Sequence, residues 1–129
     1  HMEKNLNICW DNGTYYQNQI EKLSTIYGSQ RIQPLCNPNI LKECKSAYWL
    51  FTFLIERKSE FIEFMKERNI MASQVHQRND IHTCVKDFKD PNLRNLDWVE
   101  QKLICIPVGW WVNKEDREYI IKCTEDFLK

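Results

Sequence analysis

The sequence predicts an α/β domain of the α+β kind, a small mixed sheet packed by helices on one or both faces. Three observations predict it. Apolar residues recur at three- and four-residue steps in separate segments near both ends and in the middle of the chain. Between them lie strand-length runs rich in aromatic and β-branched residues, at 47–56, 70–75 and 104–107. The chain has 129 residues, enough for one domain to bury a core without covalent staples.

Residues 6–26 read as a helix, because Leu6, Cys9, Trp10, Tyr16, Ile20, Leu23 and Ile26 share a helical spacing. Gly13 weakens its first half by about 1 kcal/mol relative to alanine, and Gly28-Ser29 ends it. Asn37-Pro38-Asn39 is a turn signal. Residues 47–56 read as a central strand covered on both faces, with Tyr48, Trp49, Phe51 and Phe53 in the core. Ser59 is the expected N-cap of a helix over 60–68, whose buried face is Phe61, Ile62, Phe64 and Met65. Glu60 and Glu63 suit its positive end, and Lys66 and Arg68 its negative end. Asn69 stands where a left-handed residue commonly closes a helix, and a strand over 70–75 follows. Asn95 or Asp97 is expected to cap a short helix carrying Trp98, Val99 and Leu103. Asn113 is expected to cap the last helix, with Glu115 and Asp116 in its first turn. Tyr119, Ile120, Cys123, Phe127 and Leu128 then recur on one face.

Composition excludes several functions. The 18 basic and 18 acidic residues cancel, which leaves no positive excess for a phosphate backbone, so no nucleic-acid partner is expected. No apolar run approaches the roughly 20 residues that span a bilayer, and no membrane association is expected. The six cysteines form no Cys-x-x-Cys pair. Buried reduced thiols are the simpler reading and three disulfides the alternative; the sparse spacing favours a cytoplasmic protein. His1-Met2 reads as a remnant of a removed tag, leaving one domain over residues 3–129.

The richest chemistry lies at 75–82, Val-His-Gln-Arg-Asn-Asp-Ile-His. It follows an expected strand, and strand ends aim functional groups at pockets. His76, Arg78, Asn79 and His82 are the candidate site residues. A guanidinium binds carboxylate or phosphate oxygens in pairs, and imidazoles suit sugar hydroxyls. Alternatively, Arg78 pairs with Asp80 or another acid and holds the loop in shape. A metal site of His76, Asp80 and His82 is disfavoured by the fixed charge of Arg78. Trp110 and Trp111 are either packing or a site wall. Glu115 and Asp116 are explained by helix electrostatics.

Several segments together resemble a known module. They are Tyr48-Trp49-Leu50-Phe51-Thr52, Glu60-Phe61-Ile62, Lys66-Glu67-Arg68-Asn69-Ile70, Val75-His76 with His82, and Ile106-Pro107 before a capped helix. The order and spacing are similar to the C-terminal small domain of the DegT/DnrJ/EryC1/StrS family. These are fold-type I, pyridoxal-phosphate-dependent sugar-nucleotide aminotransferases. Many members carry Tyr-x-Pro-Leu-His after the strand. Here the loop reads Arg78-Asn79-Asp80-Ile81-His82, a spelling that accompanies a Gly-Trp-Trp motif matched by Gly109-Trp110-Trp111.

The resemblance implies a substrate-side domain, with His76, Arg78, Asn79, His82, Trp110 and Trp111 binding substrate and no catalytic residue in this chain. The family's Schiff-base lysine and most pyridoxal phosphate contacts belong to a preceding large domain, so the chain alone is expected to be inactive and to hold no cofactor or metal. The full-length enzyme is expected to be a homodimer taking glutamate and a nucleotide-linked keto sugar. The competing reading is a free-standing, non-catalytic α/β module for a small anionic ligand or a protein partner.

Overall fold

The computed structural model describes residues 1–35 and 46–129. The Asn37-Pro38-Asn39 turn, Cys36 and Cys44 lie outside the described residues.

Helix α1 spans Met2–Tyr27. Its buried stripe is Asn12, Gly13, Tyr16, Gln17, Ile20 and Leu23, which is helical spacing with polar members. Leu6, Trp10 and Ile26, expected on that stripe, are exposed. Gly28, at φ 96, ends the helix and donates its N–H to the Ser24 carbonyl. Gly13 is not merely a weak point. A Cβ there would lie 2.3 Å from the Tyr48 ring, so the helix gives up propensity to admit an aromatic ring against its backbone.

Three strands follow: β1 (Ile32–Pro34), β2 (Phe51–Ile55) and, much later, β3 (Leu103–Ile106). They form an antiparallel sheet in the order β1-β2-β3. Gln33 pairs with Leu54, and Phe53 with Ile104. The α/β class holds, with helices packed on a small central sheet, but among the described residues that sheet is antiparallel rather than mixed. Pro34 sits on the edge strand, where its missing N–H costs no ladder bond. Phe51, Phe53, Ile55, Ile104 and Ile106 join Tyr16 and Ile20 of α1 in the core. As expected, β2 is central, with Leu54 also buried on the opposite face. It starts four residues later than expected, however. Tyr48 is left-handed, at φ 44, and Trp49, expected in the core, is 75% exposed.

Helix α2 spans Lys58–Lys66. Ser59 is not its cap but lies inside it. The preceding residue, Arg57, turns the chain at φ 55. Its guanidinium lies 4.5 Å over the Phe127 ring and donates to the Phe127 carbonyl at 3.2 Å, so a long-range anchor replaces a local cap. Phe61 and Met65 are fully buried, and Ile62 and Phe64 pack partly against the core. Asn69 is left-handed, at φ 58, and the Ile70 N–H reaches back to the Met65 carbonyl at 2.9 Å, closing the helix as expected.

Residues 70–75 do not form a strand. Ser73 and Cys105 exchange two backbone bonds, an isolated bridge on the free edge of β3. The next partner along that ladder, opposite Met71, would be Pro107, which has no N–H to offer. Two 3₁₀ turns, Asn79–Ile81 and Thr83–Phe88, follow with no buried residue.

Helix α3 spans Arg94–Glu100, and neither Asn95 nor Asp97 caps it. Helix α4 spans Lys114–Leu128 and is capped as its sequence predicts. Asn113 accepts the Asp116 N–H at 2.8 Å, and the Asp116 carboxylate accepts the Asn113 N–H at 3.2 Å. Asn113→Ala is expected to cost about 1 kcal/mol, read as a lower thermal midpoint. Ile120, Ile121, Cys123, Thr124, Phe127 and Leu128 are buried, whereas Tyr119, expected with them, is exposed. Among the described residues Cys9, Cys84, Cys105 and Cys123 are free thiols, and no helix is long and apolar enough to cross a membrane.

Candidate functional site

The loop that begins at Ser73 is rooted by a side-chain knot. The Gln74 carboxamide donates to the His76 carbonyl at 2.9 Å and to the Glu100 carboxylate at 2.7 Å. It accepts from the Lys58 ammonium at 2.6 Å, and Lys58 also donates to the Glu100 carbonyl. The start of α2, the end of α3 and the loop root are thereby joined.

Arg78 is the second tie. Its Nε and Nη2 grip Asp80 at 2.8 and 2.7 Å, and its Nη1 donates to Asp97 of α3. This is the loop-holding geometry weighed against ligand binding in the sequence. Asp97 caps nothing because α3 already begins at Arg94 and the Asp97 N–H bonds the Leu93 carbonyl; its carboxylate goes to Arg78. The hydrogen bonds from Arg78 hold the Asp80 carboxyl below its ordinary pKa, against the opposing effect of its partial desolvation. Asp80, and after it Asp97, push the Arg78 pKa up.

Because the Asp80 pKa is depressed by folding, its stabilisation is complete above the unfolded carboxylate value, about 4. It is lost as the pH falls through the folded-state value. Acidification is therefore expected to lower the amide protection factors at 76–88, each referred to the intrinsic exchange rate at that pH, before those of the core. An equal loss of protection in loop and core would refute this role for Asp80.

His76, Asn79 and His82 are exposed. The His76 ring meets the exposed Trp49 ring edge-on, with centroids 5.9 Å apart. Asn79 opens the first 3₁₀ turn, and its carbonyl accepts the His82 N–H at 3.2 Å. Trp110 and Trp111 stand nearly perpendicular, 5.8 Å apart at 84°, and are 54% and 65% exposed. They occupy the middle of a tight turn closed by Val112 N–H to the Gly109 carbonyl at 3.0 Å. The Trp111 ring lies over Gly109, where a Cβ would come within 2.2 Å of it. Among the described residues the tryptophan pair is exposed rather than buried in the core.

Two consecutive residues of α1 anchor the aromatic loops. Gly13 receives Tyr48, the residue before Trp49. Asn12 donates to the Gly109 and Val112 carbonyls at 3.3 and 2.9 Å. Sequence reasoning missed Trp49, Gln74 and Asn12. Asn12 was findable, since it is a polar residue four before Tyr16 on an apolar stripe. Trp49 carried no such signal.

A cleft of about 550 Å³ runs along the start of α1, lined by residues such as Glu3, Asn7 and Asp11. Another of about 370 Å³ lies between α2 and α4. Neither is lined by residues 75–82 or the tryptophan pair. Among the described residues no three His, Cys, Asp or Glu side chains converge to hold a metal ion.

No family model and no curated protein matches the sequence. Solved structures do match the fold. Sugar aminotransferase CalS13 from Micromonospora echinospora superposes over 96% of this chain and 31% of its own, with a TM-score of 0.81 and 22% identity. A DegT DnrJ EryC1 StrS aminotransferase from Brucella abortus covers 97% of this chain and 31% of its own, with a TM-score of 0.78 and 12% identity. The chain has the fold of a domain of DegT/DnrJ/EryC1/StrS-type sugar aminotransferases. DesV of S. venezuelae, solved in complex with a ketimine intermediate, superposes over 100% of the chain and 33% of its own, with a TM-score of 0.81 and 14% identity. The chain thus spans about a third of the length of these solved structures.

Proposed function

We propose that the chain is the substrate-side, C-terminal domain of a pyridoxal-phosphate-dependent aminotransferase, which moves an amino group from glutamate to a keto sugar carried on a nucleotide. The observation that carries this reading is the superposition of nearly the whole chain on part of several sugar aminotransferases about three times as long. The exposed, aromatic and polar surface around 75–82 supports it, because a wall of a cleft needs a second wall to become a pocket.

Pyridoxal phosphate, when bound in the parent enzyme, supplies the electron sink for amino transfer. The described residues do not fit the cofactor by themselves. A Schiff-base lysine must be free to attack a carbonyl, whereas the partly buried Lys58 and Lys102 are both engaged by other groups of the chain. Lys58 serves Gln74 and the Glu100 carbonyl, and Lys102 serves Glu56 and the Gln30 carbonyl.

The chain's own residues bind and orient. His76, Asn79 and His82 offer hydrogen bonds to sugar hydroxyls, with the His76 ring steadied by Trp49. Trp110 and Trp111 give an apolar wall for the sugar or the base. Arg78 serves the site through Asp80 and Asp97, keeping the loop in shape. The free-standing anion-binding module loses its best donor by the same geometry, because both carboxylates neutralise that guanidinium. The parent is read as a cytoplasmic homodimer.

The test is expression of the parent gene with the sequence upstream of this chain. Glutamate-dependent amination of a nucleotide-linked keto sugar is expected from the longer protein and not from the 129 residues alone. A longer protein that binds no pyridoxal phosphate would overturn the reading.

A further inference from the structure

We propose that Asn12 is the positioning residue of the Trp110-Trp111 wall, an inference that rests on the proposed substrate-side role of that wall. Asn12 is 2% exposed and lies within α1, where asparagine is a poor helix former. Its side chain is fully engaged by residues about 100 positions away. Nδ2 donates to both carbonyls that bound the tryptophan turn, Gly109 at 3.3 Å and Val112 at 2.9 Å. Oδ1 accepts from Arg117 Nη1 at 3.1 Å, and that guanidinium lies 4.6 Å over the Tyr15 ring.

The turn's own closing bond uses the Gly109 carbonyl once; Asn12 binds it a second time. Gly109 and Val112 are buried while the two residues between them are exposed. The amide therefore grips the base of the turn and leaves the indoles to face outward. A leucine at position 12 would favour the helix and the core but would leave two buried carbonyls less well satisfied. The polar residue makes sense as a clamp that fixes the direction of the indoles without touching what they contact.

The test uses circular dichroism of the exciton couplet expected from two indoles at this separation, together with thermal melting of the 129-residue chain. Asn12→Leu is expected to lose most of the couplet while the chain stays folded. Asn12→Asp keeps the shape and the acceptor for Arg117 but removes both N–H donors, and carries the same expectation should the leucine variant fail to fold. Leu23→Ala, buried on the same helix away from the turn, is expected to lower the melting temperature and leave the couplet intact. An unchanged couplet in both folded Asn12 variants, or equal loss in Leu23→Ala, overturns the positioning role.

In the full-length enzyme, Asn12→Asp is expected to raise the KM for the nucleotide sugar about tenfold, the scale of one well-placed aromatic surface. A lost couplet with unchanged KM would keep the positioning role and sink the substrate-wall reading instead.

Discussion

Phe61→Ala is expected to lower stability by about 3–5 kcal/mol. Phe61 is fully buried and its ring meets two others edge-on. Phe53 of β2 lies at 6.0 Å and 81°, and Phe127 of α4 at 5.2 Å and 73°. One ring therefore joins a helix, the central strand and the last helix. Truncation removes the transfer energy of the ring and leaves a cavity that three elements would have to move to fill. Domains of this size are stable by about 5–15 kcal/mol, so the variant would be near its unfolding threshold when warm. Urea unfolding is the measurement, with Phe61→Leu as the milder comparison. A loss below about 1 kcal/mol would show that the site collapses freely and that the aromatic junction is not what holds α2 down.

Arg78→Met in the full-length enzyme is expected to raise KM roughly ten- to hundredfold, with a smaller change in kcat. The argument is geometric. Arg78 fastens the loop to itself through Asp80 and to α3 through Asp97, and no residue of the two 3₁₀ turns is buried to hold them otherwise. Without the guanidinium, amide exchange should accelerate across 76–97 and remain slow in β2 and α4. Arg78→Lys should rescue little, because a point charge cannot grip both Asp80 oxygens as a fork does. Unaltered loop protection in the methionine variant would sink the strut role. A fall in kcat at constant KM would place Arg78 at the chemistry instead.

What the sequence disclosed follows the range of the forces involved. The Asn113–Asp116 capping box and the left-handed Asn69 were legible because each is set within a few residues. The same local rules failed where a distant partner outbid them. Ser59 lost the cap of α2 because Arg57 is held by Phe127, 70 positions away. Asp97 lies inside α3 rather than at its cap, and its carboxylate pairs with Arg78, 19 positions earlier. Trp49 read as core because its neighbours are apolar, yet the left-handed Tyr48 turns it outward, and only the bare backbone at Gly13 admits the Tyr48 ring. Residues 70–75 had a strand's composition, but pairing is confined to the Ser73–Cys105 bridge, and Pro107 offers Met71 no N–H. For the candidate site, the sequence singled out residues 75–82 and the tryptophan pair as the proposed binding surface. It left the role of Arg78 open and missed Asn12, because neither can be read without knowing what lies across the fold.

The Asn12 clamp has a consequence for the order in which the chain assembles. Its two carbonyl partners lie 97 and 100 residues away, so it forms only after a very large loop has closed, and closure entropy grows with that separation. Contacts of this kind slow folding and are poorly formed until neighbouring elements have docked. The tryptophan surface should thus be among the last features to mature. In the native state it should also be among the first to loosen when either the first or the last helix frays.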